Sequence, residues 1–106
     1  MDILTKKEHY INLFDFYSDL LTEKQQQYFK DYYFADASLA EIATAYGISR
    51  NAVFDQLQKI YAILEDYEAK LGLYKKYQQY NSLYEEYKDS DNLEVITLIK
   101  KMKNIE

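Results

Sequence analysis

The 106-residue chain has no cysteine, no proline and no tryptophan, and only two glycines, Gly47 and Gly72. It holds one histidine, His9, and one arginine, Arg50. Each scarcity excludes something. Without cysteine there can be no disulfide, thiolate metal site or thiol nucleophile. A single histidine can assemble neither a His-based metal cluster nor a Ser-His-Asp triad. A sheet protein of this size needs several turns built on Gly and Pro, so an all-α fold is expected. No Gly-rich phosphate loop is present, which argues against nucleotide hydrolysis. The expectation is a protein that is not an enzyme and needs no cofactor or metal. No stretch approaches the roughly 18–20 apolar residues of a membrane span. The N-terminal "MDILTKKEHYINLF" lacks a long apolar run and a small-residue cleavage site, so a soluble cytoplasmic protein that engages no membrane is expected.

What is present is acid, lysine and tyrosine. The formal charge is −5, which weighs against a generic nucleic-acid coat or an anionic membrane surface as partner. There are 13 Tyr, and 12 Lys beside the one Arg. Lys, Tyr, Asn, Ile and Phe all have AT-rich codons, so genome composition can account for the number of tyrosines. It cannot account for their positions.

Helix start signals divide the chain. Thr5 with Glu8 makes a capping box, followed by Tyr10, Leu13, Phe14, Tyr17, Leu20 and Leu21 at helical spacing. A second helix opens at Thr22, with Gln25 as capping partner and Tyr28, Phe29, Tyr32 and Tyr33 as apolar face. A third opens at Ser38 with Glu41, carries Leu39, Ile42, Ala43 and Tyr46, and stops at Gly47. A fourth follows Ser49 and runs through Val53, Leu57, Ile60, Tyr61 and Leu64. Gly72 either ends it or weakens a continuous helix by about 1 kcal/mol. The last helix starts near Asp91 with Glu94 placed for a capping box, and has Leu93, Ile96, Ile99 and Met102 on one side. Lys100, Lys101 and Lys103 in its final turns suit the negative helix end. A break in organisation is expected around Gly72, giving a bundle over 1–72 and a helical extension over 73–106 that packs on the same core or on a dimer partner.

"SLAEIATAYGISRNAVFDQL", residues 38–57, has the pattern of a helix-turn-helix. Ala43 is the small residue at the helix crossing and Gly47 the turn residue that tolerates positive φ. Ile42, Ile48, Val53 and Leu57 lock the crossing, and Ser49 caps the second helix. In a DNA reader the exposed positions of that helix reach base edges while flanking cations neutralise phosphates. Here Arg50, Asn51, Gln58 and Lys59 are the nucleic-acid-binding candidates, interrupted by Phe54 and Asp55. Between Ser38 and Ile60, Arg50 and Lys59 are balanced by Glu41 and Asp55, so little phosphate attraction is on offer.

The block "LTEKQQQYFKDYYFADASLAEIATAYGISRNAVFDQLQKIYAILEDYEAKLGLY" resembles region 4 of bacterial sigma factors in its first two-thirds. More closely it resembles the YlxM family of small bacterial helix-turn-helix proteins. That resemblance implies a sigma-region-4-like all-α bundle and a regulatory role tied to the signal recognition particle. The implied partner is the particle's GTPase or its RNA, with no catalytic residue and no cofactor. In sigma region 4, basic residues commonly follow the valine matching Val53, whereas this chain has Phe54, Asp55 and Gln56. The departure counts against promoter recognition. A DNA-binding transcriptional regulator stays as the alternative.

Leu73, Tyr77, Tyr80, Tyr84 and Tyr87 recur at spacings of 4, 3, 4 and 3, the seam of a coiled coil. The stripe reads as packing onto the protein's own core, as a homodimer interface, or as a base-stacking platform. The acidic clusters Glu65, Asp66, Glu68 and Glu85, Glu86, Asp89 read as solvated helix faces, since neither has the Gly-bent loop of a calcium site.

Overall fold

A computed structural model describes residues 2–105. Among the described residues there are six α-helices and no strand: α1 (Ile3–Tyr17), α2 (Glu23–Tyr33), α3 (Leu39–Tyr46), α4 (Arg50–Leu71), α5 (Leu73–Tyr87) and α6 (Leu93–Lys103). A 3-10 turn, Ser18–Leu20, joins α1 to α2. The chain divides into two compact units, Met1–Tyr74 and Lys75–Glu106.

Local chemistry sets the helix starts. Thr22 and Gln25 form a reciprocal capping box, as do Ser38 and Glu41, each pair satisfying two otherwise orphaned backbone donors. The Ser49 hydroxyl accepts from the Ala52 amide at 3.0 Å and opens α4. Two expected starts differ. Helix α1 opens on Asp2, whose carboxylate accepts the Thr5 amide at 2.8 Å, so Thr5 lies inside the first turn. A carboxylate at the positive end of a helix outcompetes a hydroxyl three residues later. Helix α6 is capped by Asn92, whose side chain accepts from the amides of Glu94 and Val95. Helix α1 also stops earlier than its periodicity suggests. The 3-10 turn turns Leu20 outward, 53 % exposed, and Leu21 inward.

Glycine ends α3 and α4. Gly47 adopts φ +67°, and its neighbour's amide, Ile48 N–H, returns to the Ala43 carbonyl at 3.0 Å while Gly47 N–H reaches Thr44. This is a Schellman closure. Gly72, at φ +61°, ends α4 by a simpler closure, its own amide returning to the Glu68 carbonyl at 2.8 Å, and α5 is a separate helix.

In the first unit α4 is the spine, about 33 Å long at 1.5 Å per residue, and α1, α2 and α3 all pack against it. The core comprises Leu13, Phe14 and Tyr17 of α1, Leu21, Tyr28 and Phe29, Ile42 and Ala43, and Val53, Leu57, Ile60, Tyr61 and Leu64 of α4. Phe14 and Phe29 stack with ring centres 4.2 Å apart, and Tyr10 stacks on Tyr61 at 4.3 Å. No polar or charged residue is buried among the described residues, and the enclosed Tyr17 hydroxyl is satisfied by the Glu68 carboxylate. In the second unit α5 and α6 contribute no buried residue at all.

Candidate functional site

The helix-turn-helix is α3 and α4 with Gly47–Ser49 between them. Ala43, Val53 and Leu57 are buried, Ile48 is half-buried against the core, and Gly47 occupies the left-handed turn position. Arg50, Asn51, Gln58 and Lys59 are all exposed on α4. None of the four has a side-chain partner among the described residues. Phe54 stands among them, 48 % exposed.

This face is not a free-standing ridge. Phe54, Leu57, Gln58 and Tyr61 form one wall of a groove of about 500 Å³. The same groove is lined by Ile3, Lys6 and Lys7 from the start of α1, by Tyr32 and Tyr33 of α2, and by Asp36, Ala37 and Leu39. Asp36 adopts φ +54°, which lets the connection between α2 and α3 turn tightly at the rim. At the groove the Tyr33 and Tyr61 hydroxyls lie 2.6 Å apart and satisfy each other. Burial pushes both phenols up from their ordinary titration range, so they stay neutral donors and acceptors. The arrangement offers an aromatic and aliphatic lining with two ammonium groups, Lys6 and Lys7, and one carboxylate, Asp36.

The contribution of α1 is absent from any reading of the sequence. Lys6 and Lys7 lie about fifty residues from Phe54, and no local pattern connects them. The adjacent pair of lysines beside Ile3 is the one signal that could have drawn notice.

The three carboxylates of the Glu65, Asp66, Glu68 cluster are each engaged separately. Glu65 meets His9 Nε2 at 2.6 Å, Asp66 pairs with Lys70 at 2.8 Å, and Glu68 accepts the Tyr17 hydroxyl at 2.6 Å. The residues at coiled-coil spacing lie in different surroundings. Leu73 belongs to the α4–α5 junction, where its amide donates to the Tyr17 hydroxyl. Tyr80 and Tyr84 are half-buried beneath the Lys103 ammonium, which lies 4.0 Å from the Tyr84 ring centre. Tyr77 is exposed, while Tyr87 joins Leu83 and the α6 residues Val95, Leu98, Ile99 and Met102 around an apolar groove. No helix among the described residues is long and apolar enough to cross a membrane.

Comparison with known proteins agrees with this geometry. Residues 4–105 match the family model described as "Putative helix-turn-helix protein, YlxM / p13 like". A UPF0122 protein of Geobacillus sp. is 40 % identical over 100 residues, covering 89 % of this chain and 91 % of that one. A UPF0122 protein of Streptococcus thermophilus is 44 % identical over 97 residues, covering 87 % and 88 % respectively. One from Bacillus licheniformis is 51 % identical over 73 residues, or 69 % of this chain and 68 % of its own length. The chain belongs to the UPF0122 family of YlxM/p13-like helix-turn-helix proteins.

Proposed function

We propose that this protein is a non-enzymatic regulatory protein whose helix-turn-helix holds a protein partner, and that it works in the signal recognition particle pathway, on the particle's GTPase. The pathway rests on the family resemblance. The use of the scaffold rests on one observation: Phe54 and Gln58, on the face a DNA reader would present, share a groove with Ile3, Lys6 and Lys7 of α1. A helix that enters a major groove about 12 Å wide needs its neighbours set back and cations beside it. Here α1 shares the approach, and residues 1–74 carry seven Lys or Arg against twelve Asp or Glu. That excess of acid opposes a polyphosphate and suits a protein surface.

The second reading is a DNA-binding regulator that uses Arg50, Asn51, Gln58 and Lys59. Its support is that all four are exposed with no side-chain partner. Fluorescence anisotropy at several salt concentrations separates the two, with the particle's GTPase, its RNA and genomic DNA fragments as ligands. The proposal expects binding to the GTPase that weakens at least tenfold in Phe54→Ala, an anchor-sized loss. Sequence-specific DNA binding that collapses with salt and with Arg50→Ala plus Lys59→Ala would instead establish the DNA reading.

A further inference from the structure

We infer that the α5–α6 hairpin is a homodimerisation element that pairs with the hairpin of a second copy in antiparallel orientation. The inference is independent of the groove on α4. Its first observation is missing burial. Neither α5 nor α6 has a buried residue, although both carry apolar side chains along a shared groove of about 220 Å³. Leu83 is 53 % exposed and Leu98 57 % exposed at that groove. Helices of 15 and 11 residues are at or below the length at which an isolated helix is marginal in water, about 12–15 residues, and they gain stability by covering an apolar face. A surface is therefore required over Leu83 and Leu98.

The second observation identifies what covers it. Charge in the hairpin is sorted by end. The turn end, residues 85–94, holds Glu85, Glu86, Asp89, Asp91 and Glu94 against Lys88 alone. The open end holds Lys75, Lys76, Lys100, Lys101 and Lys103, with no carboxylate in residues 75–80 or 97–105. The helices run antiparallel, because Tyr87 shares the groove with Val95 while Lys103 lies over Tyr80 and Tyr84. Two such hairpins laid side by side in the same direction would oppose like charges at both ends. Reversed, each acidic turn meets a basic open end, twice, about one twofold axis. That is the self-complementarity an isologous interface demands. Glu94 and Lys101 flank Leu98 on one side of α6. On α5, Lys76 and Glu86 stand seven residues before and three after Leu83, the spacings that share a helix face. The apolar centre thus has an acidic rim at one end and a basic rim at the other.

The test is sedimentation equilibrium of the full chain across the micromolar range, with far-UV circular dichroism to confirm that each variant stays helical. The native chain is expected to dimerise, and Leu98→Glu to give a monomer. Two charge reversals then read the orientation without touching the apolar centre. Lys76→Glu with Lys101→Glu, or Glu86→Lys with Glu94→Lys, should each weaken the dimer about tenfold or more, because like charges then face each other. Combining all four should recover most of the native affinity. A chain that stays monomeric throughout would overturn the inference and leave this face to a different protein. A quadruple variant weaker than both doubles would overturn the antiparallel pairing.

Discussion

The Tyr17 hydroxyl donates a 2.6 Å hydrogen bond to Glu68 Oε1 and accepts the backbone N–H of Leu73 at 3.1 Å. Glu68 Oε1 also accepts the Tyr74 amide at 3.0 Å. Helix α5 begins without a capping residue of its own, because Gly72 is spent on ending α4. Two side chains from the neighbouring helices therefore supply what a local cap would: Tyr17 from α1 and Glu68 from α4. Burial, reinforced by the Glu68 carboxylate, raises the Tyr17 phenol above its usual range, so the hydroxyl remains a donor at neutral pH.

Removing that hydroxyl leaves a carboxylate and a backbone amide short of partners while the ring still fills its place. Tyr17→Phe is expected to destabilise the fold by about 1–3 kcal/mol, the cost of stranded polar groups rather than of a cavity. Urea unfolding followed by circular dichroism measures it. A change within about 0.5 kcal/mol, the range of ordinary surface substitutions, would mean that the junction does not depend on this bond.

Gly47 separates steric room from backbone strain. A methyl group added there would meet nothing within 4 Å, yet φ is +67°. Gly47→Ala should therefore cost about 1–2 kcal/mol through the left-handed backbone alone. The lost stability should appear without loss of helix content in the native state. An unchanged urea midpoint would show that the turn relaxes to another conformation.

Alkaline pH tests the buried phenols. Tyr46, half-buried against the core and hydrogen-bonded at 2.9 Å to Asp31, is pushed up to about 12 by partial desolvation and the Asp31 carboxylate. Tyr10, Tyr17, Tyr33 and Tyr61 are raised too, chiefly by burial. An unfolded tyrosine loses its proton near pH 10, about two units below Tyr46. The folded state thus holds protons that the unfolded state releases, and stability falls wherever the unfolded state binds fewer. The contribution is complete below about pH 10 and is lost as pH rises towards 12. Urea midpoints should decline across that window, and Tyr46→Phe should shallow the decline. A flat profile through the window would contradict the packing described for these rings.

The parts of this structure that were legible in the sequence are those written within a few residues. Ser38 with Glu41, Thr22 with Gln25, and the Ala43–Gly47–Val53 pattern are relations inside one or two helical turns, and each is present as its spacing implies. Thr5 misled because Asp2 competes for the same helix start with a charge. The tyrosine stripe is legible in its spacing but not in its surroundings. Spacing places Tyr77, Tyr80, Tyr84 and Tyr87 along one side, but α6 covers only part of it, and Leu83 rather than Tyr77 borders the groove. The Tyr17–Glu68 bond and the α1 wall of the groove join residues about fifty positions apart, which only the tertiary fold brings together. The sorted charge of the hairpin becomes meaningful once the chain is known to reverse between Tyr87 and Leu93.

Phe54 and Leu57 lie less than a turn apart on α4 and should answer to different measurements. Leu57 is buried in the core, whereas Phe54 is half exposed on the groove wall. Leu57→Ala removes a close-packed side chain and is expected to cost about 2–5 kcal/mol in urea unfolding. Phe54→Ala uncovers little core and should move stability by less than about 0.5 kcal/mol. If the groove is where the partner docks, the order reverses for binding, with Phe54→Ala the variant that loses affinity while remaining folded. A Phe54→Ala protein that binds the particle's GTPase as tightly as the native chain would remove the α4 groove from the functional surface. A large loss of stability on the same substitution would instead make Phe54 part of the core and explain its place in the helix without any partner.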